Sequence, residues 1–285
     1  MMILVTTAGK VGSHAARLLA ENGQRVRIIV RDPDAHKGLA AAGVELFRGD
    51  LDQQTSIAEA VSGATSIVLV TAAIPTQEIT VIDAARKAKT AHITKITSDA
   101  SADSPIARRR DHHHIEKALI ASGLPHTLLR ANAYMQNFLA LAPAIAATSS
   151  FSSPSGDGHV GMVDARDVAA VSVTIARNPQ DHAGAIYRLS GPASLSYDDV
   201  ADQLSRLLGR TISHERISTE QQEAAMVQMG MPVAVAHTNA QALALFAAGD
   251  SDWTSLDIER LTHRPATTFT QFATDHADRF AREIS

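Results

Sequence analysis

No cysteine occurs among the 285 residues. Disulfides, thiolate nucleophiles and cysteine-based metal sites are therefore excluded, and a reducing cytoplasm is a compatible location. A strong excess of one charge is also missing. With 26 basic and 30 acidic residues the net charge is −4, which gives no electrostatic footprint for direct nucleic-acid binding. No apolar run approaches the roughly 20 residues that span a bilayer, so no membrane partner is expected. The N-terminus enters a strand pattern at once, without a basic n-region or a cleavage site. Repeats, heptads and linkers long enough to separate independent domains are absent as well. The remaining composition, 45% apolar and 20% charged, is that of a globular, cytoplasmic protein. Its length suits one large core, or one domain with a smaller lobe.

Short apolar runs alternate with helical patterns through the first half. "ILV", "RVRIIV", "VELFRGD", "SIVLVTA", "HITKITS" and "HTLLR" read as strands. Between the first two, Val11, Ala15, Leu18 and Leu19 share a helix face that Gly23 closes. Asp32-Pro33 reads as an N-cap with Pro at N1. Strands alternating with helices imply parallel pairing through right-handed crossovers, hence an α/β, doubly wound, Rossmann-like sheet. Residues 148–158 ("TSSFSSPSGDG") read as a turn-rich polar connection. The chain from Leu195 is mainly helical, with helices expected at 197–208, 219–229, 233–248 and 268–282. The expected organisation is a dinucleotide-binding domain over 1–150, rejoined at about 158–191, and a smaller substrate-binding lobe over 192–285.

In such sheets the first strand–helix turn takes a pyrophosphate, because backbone amides and the helix dipole favour an anion there. Gly9 and Gly12 supply the second and third positions of a G-x-x-G-x-x-G pattern, with Thr6 at the first and Lys10 and Val11 between the glycines. The other reading of so short a motif is a tight connection. Thr6 and Thr7 hydroxyls are placed either to donate to phosphate or to satisfy backbone groups in the turn. Position 31, which is 22 residues past Gly9 (31 − 9), is Arg; an acid there would grip a ribose 2′-hydroxyl, whereas Arg suits a 2′-phosphate. Lys37 adds positive charge nearby. The cofactor expected is therefore NADP(H), with NAD(H) as the alternative. Asp50, beside Leu51, falls on the adenine side or serves as a cap. Thr71 and Ala72 end the fourth strand, where small residues admit a cofactor, and Ser98 ends the fifth.

The segments "VTTAGKVG", "IIVRDP", "RGDL", "KALIASGLPHTLLRANAYMQNF", "VDARDVAA" and "LTHRPATTFTQFATDHADRF" resemble the NmrA-like branch of atypical short-chain dehydrogenases/reductases, and within it the bacterial NAD(P)H:quinone oxidoreductases and triphenylmethane reductases. The resemblance covers nearly the whole chain. It implies hydride transfer from NAD(P)H to a quinone-like or other conjugated acceptor, or a dinucleotide-sensing regulator of the NmrA kind. It also implies diphosphate at Gly9 and Gly12, a 2′-phosphate at Arg31 and adenine at Asp50. Two departures stand out: the turn is one residue shorter than T-G-A-T-G-x-x-G and lacks its first glycine, and His113 stands where Tyr-x-x-x-Lys would need Tyr before Lys117.

"RRRDHHHIEK" (108–117) places three histidines together. On a helix neighbours project about 100° apart, so they cannot converge on one metal ion, and none is expected. By its place before "LPHTLLR", His112 matches a histidine of the related quinone reductases, and a pKa suited to neutral pH would let it donate a proton. Lys117 is a candidate for the nicotinamide ribose, or a surface lysine. Asn132, Tyr134, Asn137 and Phe138 follow the sixth strand, where a small-molecule substrate enters; Tyr134 offers a stacking face. Met226, Met229, Met231 and Phe246 suit an adaptable apolar lid, a plain core or a homodimer contact.

Overall fold

The computed structural model describes residues 1–281. In chain order the elements are β1 (Met2–Val5), α1 (Gly12–Glu21), β2 (Arg25–Val30), α2 (Lys37–Ala41), β3 (Glu45–Arg48), α3 (Gln54–Val61), β4 (Ser66–Leu69), α4 (Pro75–Ala88), β5 (His92–Thr97), α5 (Ala107–Ala121), β6 (His126–Ala131), α6 (Asn137–Thr148), β7 (Ser150–Ser153), β8 (His159–Val160), α7 (Ala165–Arg177) and β9 (Ile186–Leu189). They continue with β10 (Leu195–Ser196), α8 (Tyr197–Leu208), β11 (Ser213–Arg216), α9 (Thr219–Gln228), α10 (Val233–Ala244), α11 (Asp257–Thr262), α12 (Phe269–Asp275) and α13 (Ala277–Phe280). No helix among the described residues is long and apolar enough to cross a membrane.

Packing divides the chain into two units. One comprises 1–131, 165–188 and 257–263; the other comprises 132–164, 189–256 and the chain from 264 onward. The first carries a seven-stranded sheet in the order β3-β2-β1-β4-β5-β6-β9, with parallel register from β3 through β6. Order reversal beside β1 makes this the Rossmann-like arrangement expected from the alternating pattern. β1, β4 and β5 are buried along their whole length, as both-faced coverage by helices requires. One face packs Ile57, Val81, Ile82, Ile115 and Leu119 against Leu4, Ile67 and Leu69; α1 lies against α7. Ala15, Ala16 and Leu19 are the buried face of α1, with Leu18 at its margin, and Gly23 (φ +72°) ends the helix in the left-handed region.

In the second unit, β7 and β11 form a parallel ribbon and β8 and β10 an antiparallel one. The stretch 148–158 is therefore a strand as well as a turn: Phe151 and Ser153 point inward from β7 while Ser150 and Ser152 do not. Phe138 is 1% exposed and meets Phe151, Tyr197 and Phe269 at ring-centroid distances of 5.6, 5.0 and 5.2 Å. It is a core residue, not a lining one, and it draws α6 and β7 into this unit, so the packing break falls after Ala131 whereas the sequence suggested one near 150. Phe246 joins the same core and Met229 is exposed. The helix expected at 268–282 divides at His276 into α12 and α13, and its last expected residue, Arg282, lies outside the described residues.

His214, with a fully buried side chain, bridges Asp198 (Nδ1 to Oδ1, 2.8 Å) and Ser153 (Nε2 to Oγ, 2.8 Å). The carboxylate only accepts, so Nδ1 carries a proton. The order resembles a nucleophilic triad, but Ser153 is 1% exposed, and no substrate reaches it; the bridge fastens β11 to β7 and α8. α8 itself opens with a reciprocal cap: Ser196 Oγ accepts from Asp199 N at 3.0 Å and Asp199 Oδ2 accepts from Ser196 N at 2.9 Å. Replacing Ser196 by Ala is expected to cost about 1 kcal/mol, read as a lowered urea midpoint with an unchanged slope.

Candidate functional site

β1 stops at Val5, and the chain reaches α1 through a turn whose two threonine hydroxyls face β4. Thr6 Oγ1 donates to Val70 O at 2.8 Å and accepts from Val70 N at 2.9 Å; Thr7 Oγ1 donates to the same carbonyl at 3.0 Å. Both hydroxyls satisfy backbone groups, so donation to phosphate does not fall to them. α1 begins with no capping side-chain hydrogen bond and no acid in its first turn, which leaves the positive end of its dipole for an anion. The two glycines differ. A Cβ on Gly12 would lie 1.9 Å from the Thr7 carbonyl oxygen, whereas one on Gly9 would meet nothing nearer than Thr7 Oγ1 at 3.8 Å. The fold requires Gly12; it does not require Gly9, whose open side is where a ligand backbone would approach. Val11 is buried under the turn. Burial, and then the Arg108 guanidinium of α5, hold Lys10 below the usual lysine range. Two cations set near each other are relieved by a polyanion.

Beyond the carboxyl ends of β2 and β3 lies a cleft of about 500 Å³, lined by Arg31, Arg48, Gly49, Asp50, Gln53 and Ser56 among others. Arg48, the last residue of β3 and the register partner of Val30, is the cation the sequence reading missed; its signal was its place directly before "GDL". Lys37 is an exposed partner of Asp34 at 3.1 Å and does not line the cleft. Asp50 is a turn residue as well as a wall: its Oδ1 accepts from Asp52 N at 3.0 Å. Leu51 packs on the apolar core. Asp32 caps the turn after β2 by accepting from Asp34 N at 3.0 Å.

Past β4, Thr71 Oγ1 accepts from Ala73 N at 3.1 Å and donates to Glu78 Oε1 at 2.6 Å. The side chain of Thr71 therefore shapes the turn, Ala72 is its exposed residue, and Ala73 takes φ +62°. Ser98 Oγ and His112 Nδ1 are both buried without a hydrogen-bond partner among the described residues. Orphaned polar atoms at the carboxyl edge of a parallel sheet are what a bound ligand would satisfy. His112 is 7% exposed. Burial, then Lys95 and Arg108, push its pKa well below the ordinary histidine range, which favours the uncharged ring. His113 is half-buried and His114 exposed. Lys117 is exposed too; five residues on from His112, it lies roughly 140° around the helix and away from that ring.

In the second unit, Asn132 Nδ2 donates to Ser251 O and Trp253 O at 3.0 and 3.4 Å, and its Oδ1 accepts from Ala133 N at 2.8 Å. That amide is a brace, not a substrate contact. Tyr134 bridges to Val163, Asn137 opens α6, and Asp164 accepts from Gln136 at 2.8 Å. A separate cleft of about 320 Å³ in this unit has Met135, Met162, Leu195 and Phe269 on its walls and Arg206 on its rim.

The chain is similar in sequence and in fold to several known proteins. The profile of the NmrA-like family matches residues 1–271. The chain is 34% identical to an NAD(P)H azoreductase from Xenophilus azovorans over 98% of its own length and 99% of that protein's. It is 33% identical to a (4-alkanoyl-5-oxo-2,5-dihydrofuran-3-yl)methyl phosphate reductase from Streptomyces griseus, over 99% of this chain and 100% of the relative. Among solved structures, an NADPH-dependent quinone oxidoreductase from Escherichia coli, complexed with NADPH, superposes with a TM-score of 0.86 at 26% identity, covering 97% of this chain and all of that one.

Proposed function

Because the chain belongs to the NmrA-like family, we propose that it is an NAD(P)H-dependent reductase that takes NADP(H) in preference to NAD(H) and reduces a quinone-like or other conjugated small molecule. The observation that carries this reading is the pair of orphaned atoms, Ser98 Oγ and His112 Nδ1, in a unit whose first helix has no side-chain cap. The residues fit the cofactor. Backbone amides from Gly9 to Gly12 would hold the diphosphate, with Lys10 and Arg108 supplying charge, and Arg31 and Arg48 would hold the 2′-phosphate. When bound, NADPH supplies a hydride; the acceptor takes that hydride and one proton from solvent.

The chain's own groups bind, orient and exclude water, which is the protein's usual share in nicotinamide chemistry. Ser98 offers a hydroxyl at the end of β5. His112 offers a buried ring, favoured in its uncharged form, that orients a carbonyl or amide by hydrogen bonding. Replacing His112 by Ala is expected to lower kcat about tenfold, the loss of one neutral hydrogen bond, with KM for NADPH little changed.

The decisive experiment follows NADPH absorbance with a small panel of quinones and azo compounds. Turnover of any of them supports the reductase. Tight NADPH binding with no turnover across the panel would instead favour a dinucleotide-sensing regulator.

A further inference from the structure

Thr97 ends β5, Glu116 lies on α5, and Arg130 stands near the end of β6, where it is the register partner of Thr97. The three meet at one carboxylate. Thr97 Oγ1 donates to Glu116 Oε1 at 2.9 Å, and Arg130 Nη2 donates to Glu116 Oε2 at 2.7 Å. Thr97 and Glu116 are each 3% exposed. Stability alone would not select this arrangement. Arg130 Nε is buried with no hydrogen-bond partner among the described residues, and an unmade buried hydrogen bond costs free energy. Apolar side chains of similar volume commonly do as well as a buried ion pair, or better.

Position supplies another reason. Ser98, with its orphaned Oγ, follows Thr97 directly. His112, with its orphaned Nδ1, precedes Glu116 by four residues, which is one helical turn and about 6 Å along the axis. Ile115 and Leu119 pack α5 onto the apolar core, but apolar attraction is non-directional and sets the slide and rotation of a helix only loosely. Hydrogen bonds, with their preferred lengths and angles, set both. We infer that Thr97, Glu116 and Arg130 form a positioning clamp for the reactive end of the site: they lock α5 against β5 and β6, and so fix the His112 ring relative to the Ser98 hydroxyl. None of the three is catalytic in this assignment; each acts through another group. Its meaning for catalysis rests on the proposed reductase reading, which it deepens; the placement of the His112 ring is measurable without turnover.

The chemistry of the central residue fits the task. A carboxylate only accepts, and it offers two oxygens, so one side chain on α5 takes a donor from each of two neighbouring strands. Glutamine has a single oxygen and would turn its amide N–H groups toward one of those donors; it can serve Thr97 or Arg130, not both. Lys117, the next residue along α5, is exposed and reaches neither strand in this way.

The test opens one arm of the clamp and then restores it. Thr97→Val removes the hydroxyl at nearly constant volume, whereas Thr97→Ser keeps it. Misplacing a reacting group by about 1 Å can cost roughly 10²-fold in rate, so Thr97→Val is expected to lower kcat for NADPH oxidation by about tenfold or more. KM for NADPH should change little, because the β1–α1 turn and the first cleft are untouched. Thr97→Ser should recover most of the lost kcat, and Glu116→Gln should fall at least as far as Thr97→Val. Ring signals of isotope-labelled histidine, with His112 identified by its loss in His112→Asn, report placement by NMR at fixed pH. The His112 signal is expected to shift in Thr97→Val and to return in Thr97→Ser.

Thermal melts separate placement from mere bracing. A Thr97→Val protein that melts lower yet keeps the wild-type kcat and His112 signal overturns the assignment. So does a loss of kcat that Thr97→Ser fails to restore, or a rise in KM for NADPH with kcat unchanged. Should Thr97→Val fail to fold, Glu116→Gln, of wild-type size, carries the same comparison of kcat, KM and ring signal. A wild type that reduces nothing would sink the reductase reading, and the clamp would then stand or fall on the His112 signal alone.

Discussion

Removing both arginines of the first cleft, as Arg31→Ala/Arg48→Ala, is expected to lower kcat/KM with NADPH by roughly 10²–10⁴-fold while leaving NADH almost unaffected. The magnitude follows from chemistry. A hydrogen bond to a charged group is worth about 1.5–3 kcal/mol, two arginines make about twice that, and every 1.4 kcal/mol is tenfold. The selectivity follows from position. Arg31 and Arg48 line one wall-to-wall cleft at the carboxyl ends of β2 and β3, and NADPH differs from NADH only in the 2′-phosphate that two such guanidinium groups suit. Each single variant should show part of the loss. Lys37→Ala should show little, since that ammonium is solvent-exposed, pairs with Asp34 and does not line the cleft. Steady-state kinetics with both cofactors at fixed ionic strength decide the matter: parallel losses with NADPH and NADH would place the arginines elsewhere than on a 2′-phosphate.

The contrast between Arg31 and Arg48 also shows how far the sequence can be read. Arg31 was legible because a fixed distance separates it from the glycines; it is a local signal. Arg48 is brought beside it only by the parallel register that pairs Val30 with Arg48, and no local pattern carries that information. The same holds for Lys95. "HITKITS" reads correctly as a buried strand, but whether a lysine in it is tolerable depends on Glu78, seventeen residues earlier on another element. The doubly wound sheet was readable because burial on both faces leaves unbroken apolar runs. β7 was not, because its inward residues alternate with serines that look like turn composition. Among the candidate site residues, Thr6, Thr7, Thr71 and Asn132 were found for their position, yet their polar groups are absorbed by contacts within the chain, mostly to backbone. A sequence shows which side chains could bond to a ligand; it does not show which are already bonded to the chain.

The two glycines of the first turn should separate along the same line. Gly12→Ala is expected to destabilise the protein by about 3 kcal/mol or more, the upper end of what overpacking costs, because the added carbon would sit 1.9 Å from the Thr7 carbonyl oxygen and 3.2 Å from a Val5 methyl. Neither neighbour can give way cheaply. Thr7 is held by its hydroxyl to Val70, and Val5 lies in β1 between β2 and β4. Gly9→Ala should leave thermal stability nearly unchanged, since its added carbon makes only an ordinary contact at 3.8 Å. It should nonetheless weaken NADPH, because a methyl group would stand where a diphosphate must approach the amides that start α1. Thermal melts and NADPH titrations on the two variants give a crossed outcome if the turn holds a diphosphate: Gly12→Ala unstable, Gly9→Ala stable but weak in binding. A Gly9→Ala variant that binds NADPH as tightly as the wild type would mean that the missing first glycine has moved the diphosphate off this turn, and the shortened T-T-A-G-x-x-G sequence would then serve the fold alone.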